Sequence, residues 1–366
     1  MQHHTRFAAL TILATAFLAA TAGAQPPPPP HIPYTASPAT IGRIEATLPK
    51  DQAIAPLLYL ASDDLRGRFI GTPGNDSAAE YIAREFERAG AHPLPGNNGY
   101  FQYFDQQFNA NALDSGSAPV KVRLRNVMAF IPGTDPTLRE QFVALSSHYD
   151  HLAVARHARM EDGKMDSIYN GARDNASGTT AVIDAATYFG KYPPKRSVLF
   201  ICYTAEEEGL IGSEWYAAHP AMPLKNIVYN LNIDNASYDD TSLVTLVGLH
   251  RTTEDSAIIA ACRYFGLHVN NDPTGGSLFF ESDNAPLALR GIPAPTYSMG
   301  MRAMDSTIFN RYHRLSDETG NMDMDYIVRW IHAYVLAARF VADEERQPAW
   351  TPGDQYEKAW HNLYGK

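Results

Sequence analysis

Residues 197–234 read SVLFICYTAEEEGLIGSEWYAAHPAMPLKNIVYNLNID, and the order of periods inside this stretch decides the fold. Ser197 to Thr204 is a short run of β-formers and reads as a buried strand; Gly212 to His219 reads as a helix, and Ile227 to Asp234 as a second strand. Working outward, Thr179 to Phe189 is helical, while Phe142 to Ser146 and Val122 to Ile131 are strands. Ser77 to Ala89 puts Ala78, Tyr81, Ile82 and Phe86 on one helical face, with Gly90 as its stop. Tyr326, Ile327, Trp330, Ile331, Tyr334, Val335 and Ala338 form an i, i+3, i+4 stripe that needs an apolar partner. Strands alternating with helices predict an α/β fold of three layers, α/β/α, around a mostly parallel mixed central sheet. There is no internal repeat, and residues 41–366 read as a single catalytic domain.

Composition bounds the function. The chain has 366 residues, 45% hydrophobic and 19% charged, which excludes a disordered, collagen-like or coiled-coil protein. Thirty basic against 40 acidic residues give a net charge of -10, so neither nucleic acid nor an anionic membrane surface is an expected partner. Two cysteines are too few for a disulfide framework or a Cys-rich zinc site, so any metal would be held by histidines and carboxylates. Cys202 and Cys262 read as small core residues rather than as a pair.

The N-terminus reads as an address. Arg6 precedes an apolar run from Phe7 to Ala20, and Ala22-Gly23-Ala24 is a small-x-small cleavage site, giving a signal peptide over residues 1–24. The run falls short of the roughly 20 apolar residues of a spanning helix, and no later stretch is long enough. The expectation is export to the periplasm or beyond, with no stable membrane insertion. Residues 25–40, opening with Pro26 to Pro30, read as a stiff linker.

In such a sheet, ligands bind beyond the carboxyl ends of the strands, and polar clusters stand there. His148-Tyr149-Asp150-His151 follows the strand ending at Ser147; an H-x-D pair lets an imidazole bind metal while the carboxylate takes its other N–H. His151 lacks such a partner and reads as a loop residue. Asp174, in Gly171 to Gly178, either caps the next helix or faces a metal. Glu206, Glu207 and Glu208 follow the strand ending near Thr204; burying three acids there is costly unless a cation neutralises them, and an acidic solvated turn is the alternative. Asp234 ends the last strand of the opening stretch, and His313 lies in Tyr312 to Asp317. Together these give His, Asp, Glu, Asp and His in chain order with one Glu to spare, enough for two cations sharing a bridging carboxylate.

The strings HYDHL, GARDNASG, AEEEGLIGS, NIDNAS and YHRLSDE resemble the five metal-site motifs of the zinc peptidase family M28, the co-catalytic aminopeptidases and their carboxypeptidase relatives. The likeness runs from DDLRGRFIGTPGNDSAAEYIAREFERAG, beginning near Leu60, to about residue 340. It implies a zinc-exopeptidase-like fold and two zinc ions: His148 and Asp234 on one, Glu207 and His313 on the other, Asp174 bridging. It also implies Glu206 as general base and Asp150 as the residue orienting His148, with no role for Glu208. Glu281 to Pro286 resembles a family loop in which histidine often replaces Asn284; capping by Ser282 or Asp283 explains it equally well. The implied reaction is hydrolysis of a peptide bond near a chain end, most simply by an aminopeptidase. A glutaminyl cyclase-like acyltransferase, or a silent binding module on the same fold, are the alternatives; the full set of ligand types speaks against both.

Overall fold

In the computed structural model, which describes residues 34–109, 119–161 and 163–366, the apolar runs of the sequence become the middle of an eight-stranded sheet. In chain order the strands are β1 (Phe101–Asn109), β2 (Pro119–Ile131), β3 (Phe142–His148), β4 (Val154–Glu161), β5 (Lys164–Ile168), β6 (Ser197–Tyr203), β7 (Ile227–Ile233), β8 (Leu243–Val247), β9 (His268–Asn271) and β10 (Thr296–Met299). The sheet runs β1-β2-β6-β3-β7-β10-β8-β9, and β4 and β5 form a separate antiparallel hairpin. β3 lies parallel between β6 and β7, and β10 on β7 and β9 on β8 are parallel too. The remaining pairings, β1 with β2, β2 with β6 and β10 with β8, are antiparallel. The sheet is mixed, with its parallel core where the motif-bearing strands lie.

The helices are α1 (Pro38–Thr47), α2 (Lys50–Leu60), α3 (Pro73–Arg88), α4 (Gly178–Lys191), α5 (Ile211–Ala218), α6 (Asp255–Tyr264), α7 (Asn284–Leu289), α8 (Ser306–Phe309), α9 (Met324–Asp343) and α10 (Glu357–Tyr364). α1 and α3 open on proline in the first turn behind a hydroxyl cap: Thr40 N donates to Ser37 Oγ and Asn75 N to Thr72 Oγ1. Gly90, at φ 76°, is the left-handed stop after α3 that the sequence predicted.

Alternation along the strands makes the layers. Val143, Leu145, Val198 and Phe200 pack with Ile44, Leu57, Phe86, Val182, Ile258 and Trp330, which come from α1, α2, α3, α4, α6 and α9. Their neighbours Ala144, Leu199, Ile201 and Tyr203 pack on the other face with Tyr216, Leu287 and Trp360 from α5, α7 and α10. The stripe on α9 is buried throughout, and Trp330 Nε1 and Tyr334 Oη reach the backbone carbonyls of Ser298 and Leu231.

Order reaches further toward the N-terminus than the expected boundary at Ile41. Tyr34 donates its hydroxyl to Glu254, Ala36 N donates to Tyr264 Oη, and α1 begins at Pro38. The expected signal segment and Pro26 to Pro30 lie outside the described residues. Cys202 and Cys262 are buried and unpaired, as the composition suggested. Among the described residues no helix is long and apolar enough to cross a membrane.

Candidate metal centre

Parallel pairing in register is what gathers the motifs. His148 is the last residue of β3 and pairs with Tyr203, the last of β6, while Ser147 pairs with Ile233, the last of β7. The three strands therefore end level, and the chain that leaves them carries Glu206, Glu207 and Asp234 to the same edge as His148. Asp174 arrives from the kinked turn Ala172–Ser177 ahead of α4, and His313 from the turn after α8, at φ 55°.

The five residues implied as ligands converge. His148 Nε2 lies 3.3 Å from Asp174 Oδ1 and 3.3 Å from Asp234 Oδ1. On the far side of the same carboxylate, His313 Nε2 lies 3.1 Å from Asp174 Oδ2 and 3.0 Å from Glu207 Oε2. Zinc bonds of roughly 2.0–2.2 Å in a tetrahedron put neighbouring donor atoms about 3.3 Å apart, the spacing seen here. Asp174 offers one oxygen to each side, so the donor set fits two divalent cations with Asp174 between them. Glu206 Oε2 stands 3.9 Å from His148 Nε2, close to the centre but off the tight set. Potential ligand atoms form two groups, His151, Asp174, Glu207 and His313 in one and His148, Glu206 and Asp234 in the other, and Glu208 belongs to neither.

Electrostatics agree with a site built for cations. Burial pushes the Glu206 carboxyl well above the usual range, helped by Asp234, Asp283 and Glu207. His313 is driven up to about 10 despite its partial burial, because Asp174 and Glu207 both accept from it.

Asp150 lies beside His148, and its carboxylate faces both the imidazole and two backbone amides. Its carboxylate Oδ1 is 3.9 Å from His148 Nδ1, beyond hydrogen-bond reach, and the atom that meets the ring nitrogen is the Asp150 backbone oxygen at 3.2 Å. The carboxylate instead accepts from Glu206 N at 3.2 Å and Glu207 N at 3.4 Å. The physical reason is local: the turn past β6 leaves those two amides without strand partners, and a fully buried carboxylate, raised by burial to about 6, settles against them. Asp150 thus positions the turn that carries Glu206 and Glu207.

The capping alternatives fail. Gly178 N donates to Asn175 Oδ1, so Asn175 rather than Asp174 serves the start of α4. Neither Ser282 nor Asp283 caps α7; Ser282 Oγ accepts from Asn232, and Asp283 is fully buried with its carboxyl raised by burial to about 7.

Four residues at the site had no role in the sequence reading. His151 was expected to be a loop residue; it is fully buried and its Nδ1 lies 2.7 Å from Glu207 Oε1. Arg68, from the N-terminal likeness, spends its guanidinium on backbone: Nε donates to Tyr149 O, Nη1 to Asn170 O and Leu60 O, and Nη2 to Gly171 O. It stitches the loop of His148 to the loop of Asp174. Asp317 accepts from Arg173 N and Asp174 N and pairs with Arg173 Nη1 at 3.0 Å, fixing the turn that carries Asp174. Tyr312 stacks on His313 with ring centroids 3.9 Å apart, its phenol pushed well above the usual range by burial and by Asp174, Asp234, Glu207 and Glu206. The one sequence signal for any of them was a second imidazole three positions past His148; the others needed burial to be seen.

The profile of peptidase family M28 matches residues 126–338, more than half of the chain, including all five residues implied as ligands. This chain belongs to peptidase family M28. Among curated relatives, a vacuolar membrane protease of Vanderwaltozyma polyspora is 23% identical over 244 residues; the match covers 66% of this chain and 23% of that protein's length. Among solved structures, the aminopeptidase of Aneurinibacillus sp. strain AM-1 superposes with a TM-score of 0.60 at 15% identity, covering 86% of this chain and 98% of the other. The glutaminyl cyclase of Porphyromonas gingivalis does so with a TM-score of 0.60 at 14% identity, covering 80% and 98%. At these identities the likeness is one of fold, and the three-layer α/β/α arrangement of this M28 peptidase is common to both.

Proposed function

We infer that this protein is a two-zinc exopeptidase of the aminopeptidase type, acting on the amino end of peptide chains. The observation that carries the reading is the bridging geometry at Asp174, with one oxygen 3.3 Å from His148 and the other 3.1 Å from His313. His148, Asp234 and Asp174 would hold one cation, and Glu207, His313 and Asp174 the other; when bound, the pair supplies Lewis acidity and lowers the pKa of water toward neutrality.

The chain's own groups do the rest. Glu206, buried beside the pair and not needed as a ligand, takes the proton from the attacking water and returns it to the leaving amine. A raised carboxyl pKa suits both halves of that shuttle. The Tyr312 phenol, kept protonated among four carboxylates, donates a hydrogen bond to the oxyanion that develops on the scissile carbonyl. Arg68 is spent on backbone carbonyls and Arg173 on Asp317. A chain end bearing an ammonium therefore suits a pocket of carboxylates and imidazoles better than one bearing a carboxylate. The apolar run before Ala22-Gly23-Ala24 supports export, with action outside the cytoplasm.

The test is Glu206→Gln, assayed on aminoacyl chromogenic substrates and on peptides blocked at either end. The variant is expected to keep two equivalents of zinc and lose at least about a thousandfold in kcat, in the range of general-base removal combined with lost proton delivery. Near-normal turnover in the variant, or cleavage by wild type of peptides blocked at the amino end, defeats the reading.

A further inference from the structure

We propose that His151 is a positioning residue for the metal ligand Glu207: its Nδ1–H ties down Oε1, so that Glu207 meets the cation it shares with His313 through Oε2 alone. The inference rests on the two-cation reading above.

The distances separate two kinds of contact. The donor atoms of the five ligand residues stand 3.0 to 3.3 Å apart in each half of the centre, the spacing of ligands to one ion. His151 Nδ1 is 2.7 Å from Glu207 Oε1, which is the length of a charge-assisted hydrogen bond. The same nitrogen is 3.9 Å from Asp174 Oδ2, too far to share an ion with it at tetrahedral spacing. Of the two carboxylate oxygens of Glu207, one faces His313 and the other faces His151, so the two jobs fall to different atoms.

The tautomer follows from the partners. His151 Nε2 is buried with no hydrogen-bond partner, and an N–H buried there would be orphaned. A single proton on Nδ1 satisfies the short contact with the carboxylate and leaves Nε2 as a bare lone pair. The ring is also held sterically. It packs edge-on to His313, with centroids 5.6 Å apart. Against it lies Gly171, at φ 55°, where a Cβ would come within 2.5 Å of the His151 ring carbons. Arg68 Nη2 holds the Gly171 carbonyl at 3.1 Å, so the wall behind the imidazole is itself fixed. The seat for the ring is thus made by the glycine that opens the second metal motif.

Among the described residues, the corresponding carboxylate on the other side, Asp234, has no such brace. Asp234 Oδ1 faces His148, and its side chain is 20% exposed, against 5% for Glu207. Loss of the imidazole should therefore weaken one of the two metal sites and spare the other.

The experiment is stepwise zinc binding to the full chain, by competition with a chromogenic chelator, alongside visible spectra of the cobalt-loaded protein. His151→Leu removes the donor, and His151→Asn restores one, because the Asn amide nitrogen reaches the place of imidazole Nδ1. In His151→Leu one of the two dissociation constants should rise about 10- to 100-fold, as on loss of a ligand's hydrogen-bond partner. The cobalt bands of that site should weaken as Glu207 turns bidentate. His151→Asn should recover most of the affinity. Should the leucine variant not fold by circular dichroism, His151→Gln takes its place, since its amide reaches only to the Nε2 position and is expected to weaken the same site.

Two wild-type constants in the loss variant overturn the role of His151. An asparagine variant as weak as the loss variant overturns the donor assignment, since the imidazole itself would then be the ligand. Fewer than two zinc equivalents in wild type would instead overturn the two-cation reading, so the two failures are told apart.

Discussion

Asp317→Asn should damage the centre without touching a ligand. Asp317 is fully buried and accepts from Arg173 N at 3.0 Å, Asp174 N at 3.1 Å and Arg173 Nη1 at 3.0 Å. Asparagine keeps the shape, but one oxygen becomes an amide that must face a donor, and the charge opposite the buried guanidinium is lost. Hydrogen bonds to a charged group contribute about 1.5–3 kcal/mol each, and two of the three are lost or weakened, which gives a cost of about 3–6 kcal/mol. Leaving one partner of a buried ion pair alone costs about the same by direct measurement in other proteins. Arg173 is only partly compensated, by Asn321 O at 2.9 Å and by the face of Tyr238 at 5.1 Å. Thermal melting of the chelator-stripped variant should fall by on the order of 10 °C for a chain of this size. Zinc affinity should fall about 10- to 100-fold, because the Asp174 amide is no longer held. Arg173→Met in the Asp317→Asn background should cost less than the sum of the two single changes, since both remove the same pair. A variant that melts within about 2 °C of wild type and titrates zinc normally would refute the claim that this pair positions the bridging carboxylate.

Tyr312→Phe should keep both zinc ions and its stacking on His313 while kcat falls about 10²- to 10³-fold, as on loss of one oxyanion donor; a KM effect with unchanged kcat would refute that role. Arg68→Met should lower thermal stability and zinc affinity together, since four backbone carbonyls lose their donor; an unchanged melt would show that the two loops hold themselves. Asp255, raised by burial to about 7 and bonded to Thr252 Oγ1, sets a pH dependence away from the metals. Its folded pKa lies above its unfolded value, so its stability is present below about pH 4 and lost as pH rises to 7, up to ~4 kcal/mol in all. Asp255→Asn should therefore flatten the denaturant stability of the chain across pH 4–7 relative to wild type, and an identical slope in both proteins would contradict the assignment.

Much of this protein was legible because its chemistry follows a chain-local rule. Apolar runs bounded by polar clusters gave β3, β6 and β7, and hydrophobic periodicity gave α3, α4 and α9, with ends displaced by only a few residues. Strands β8, β9 and β10 are short, and β1 alternates polar with apolar residues at a sheet edge; such segments carry little signal of their own and were not read. Asp150 shows what spacing leaves out. Its carboxylate accepts from two amides, 56 and 57 residues away, that the H-x-D pattern could not indicate.

The sequence by itself determined the layer order, the five motifs that carry the candidate ligands and the residue types that could hold a cation, because each depends on a periodicity or a side-chain chemistry carried within a few residues. Tertiary structure alone decided that β3, β6 and β7 end level, that Asp174 divides its oxygens between two histidines, and that His151, Arg68 and Asp317 stand behind the ligands. Burial and long-range hydrogen bonds create those roles, and neither is written in the neighbourhood of the residue that acquires them.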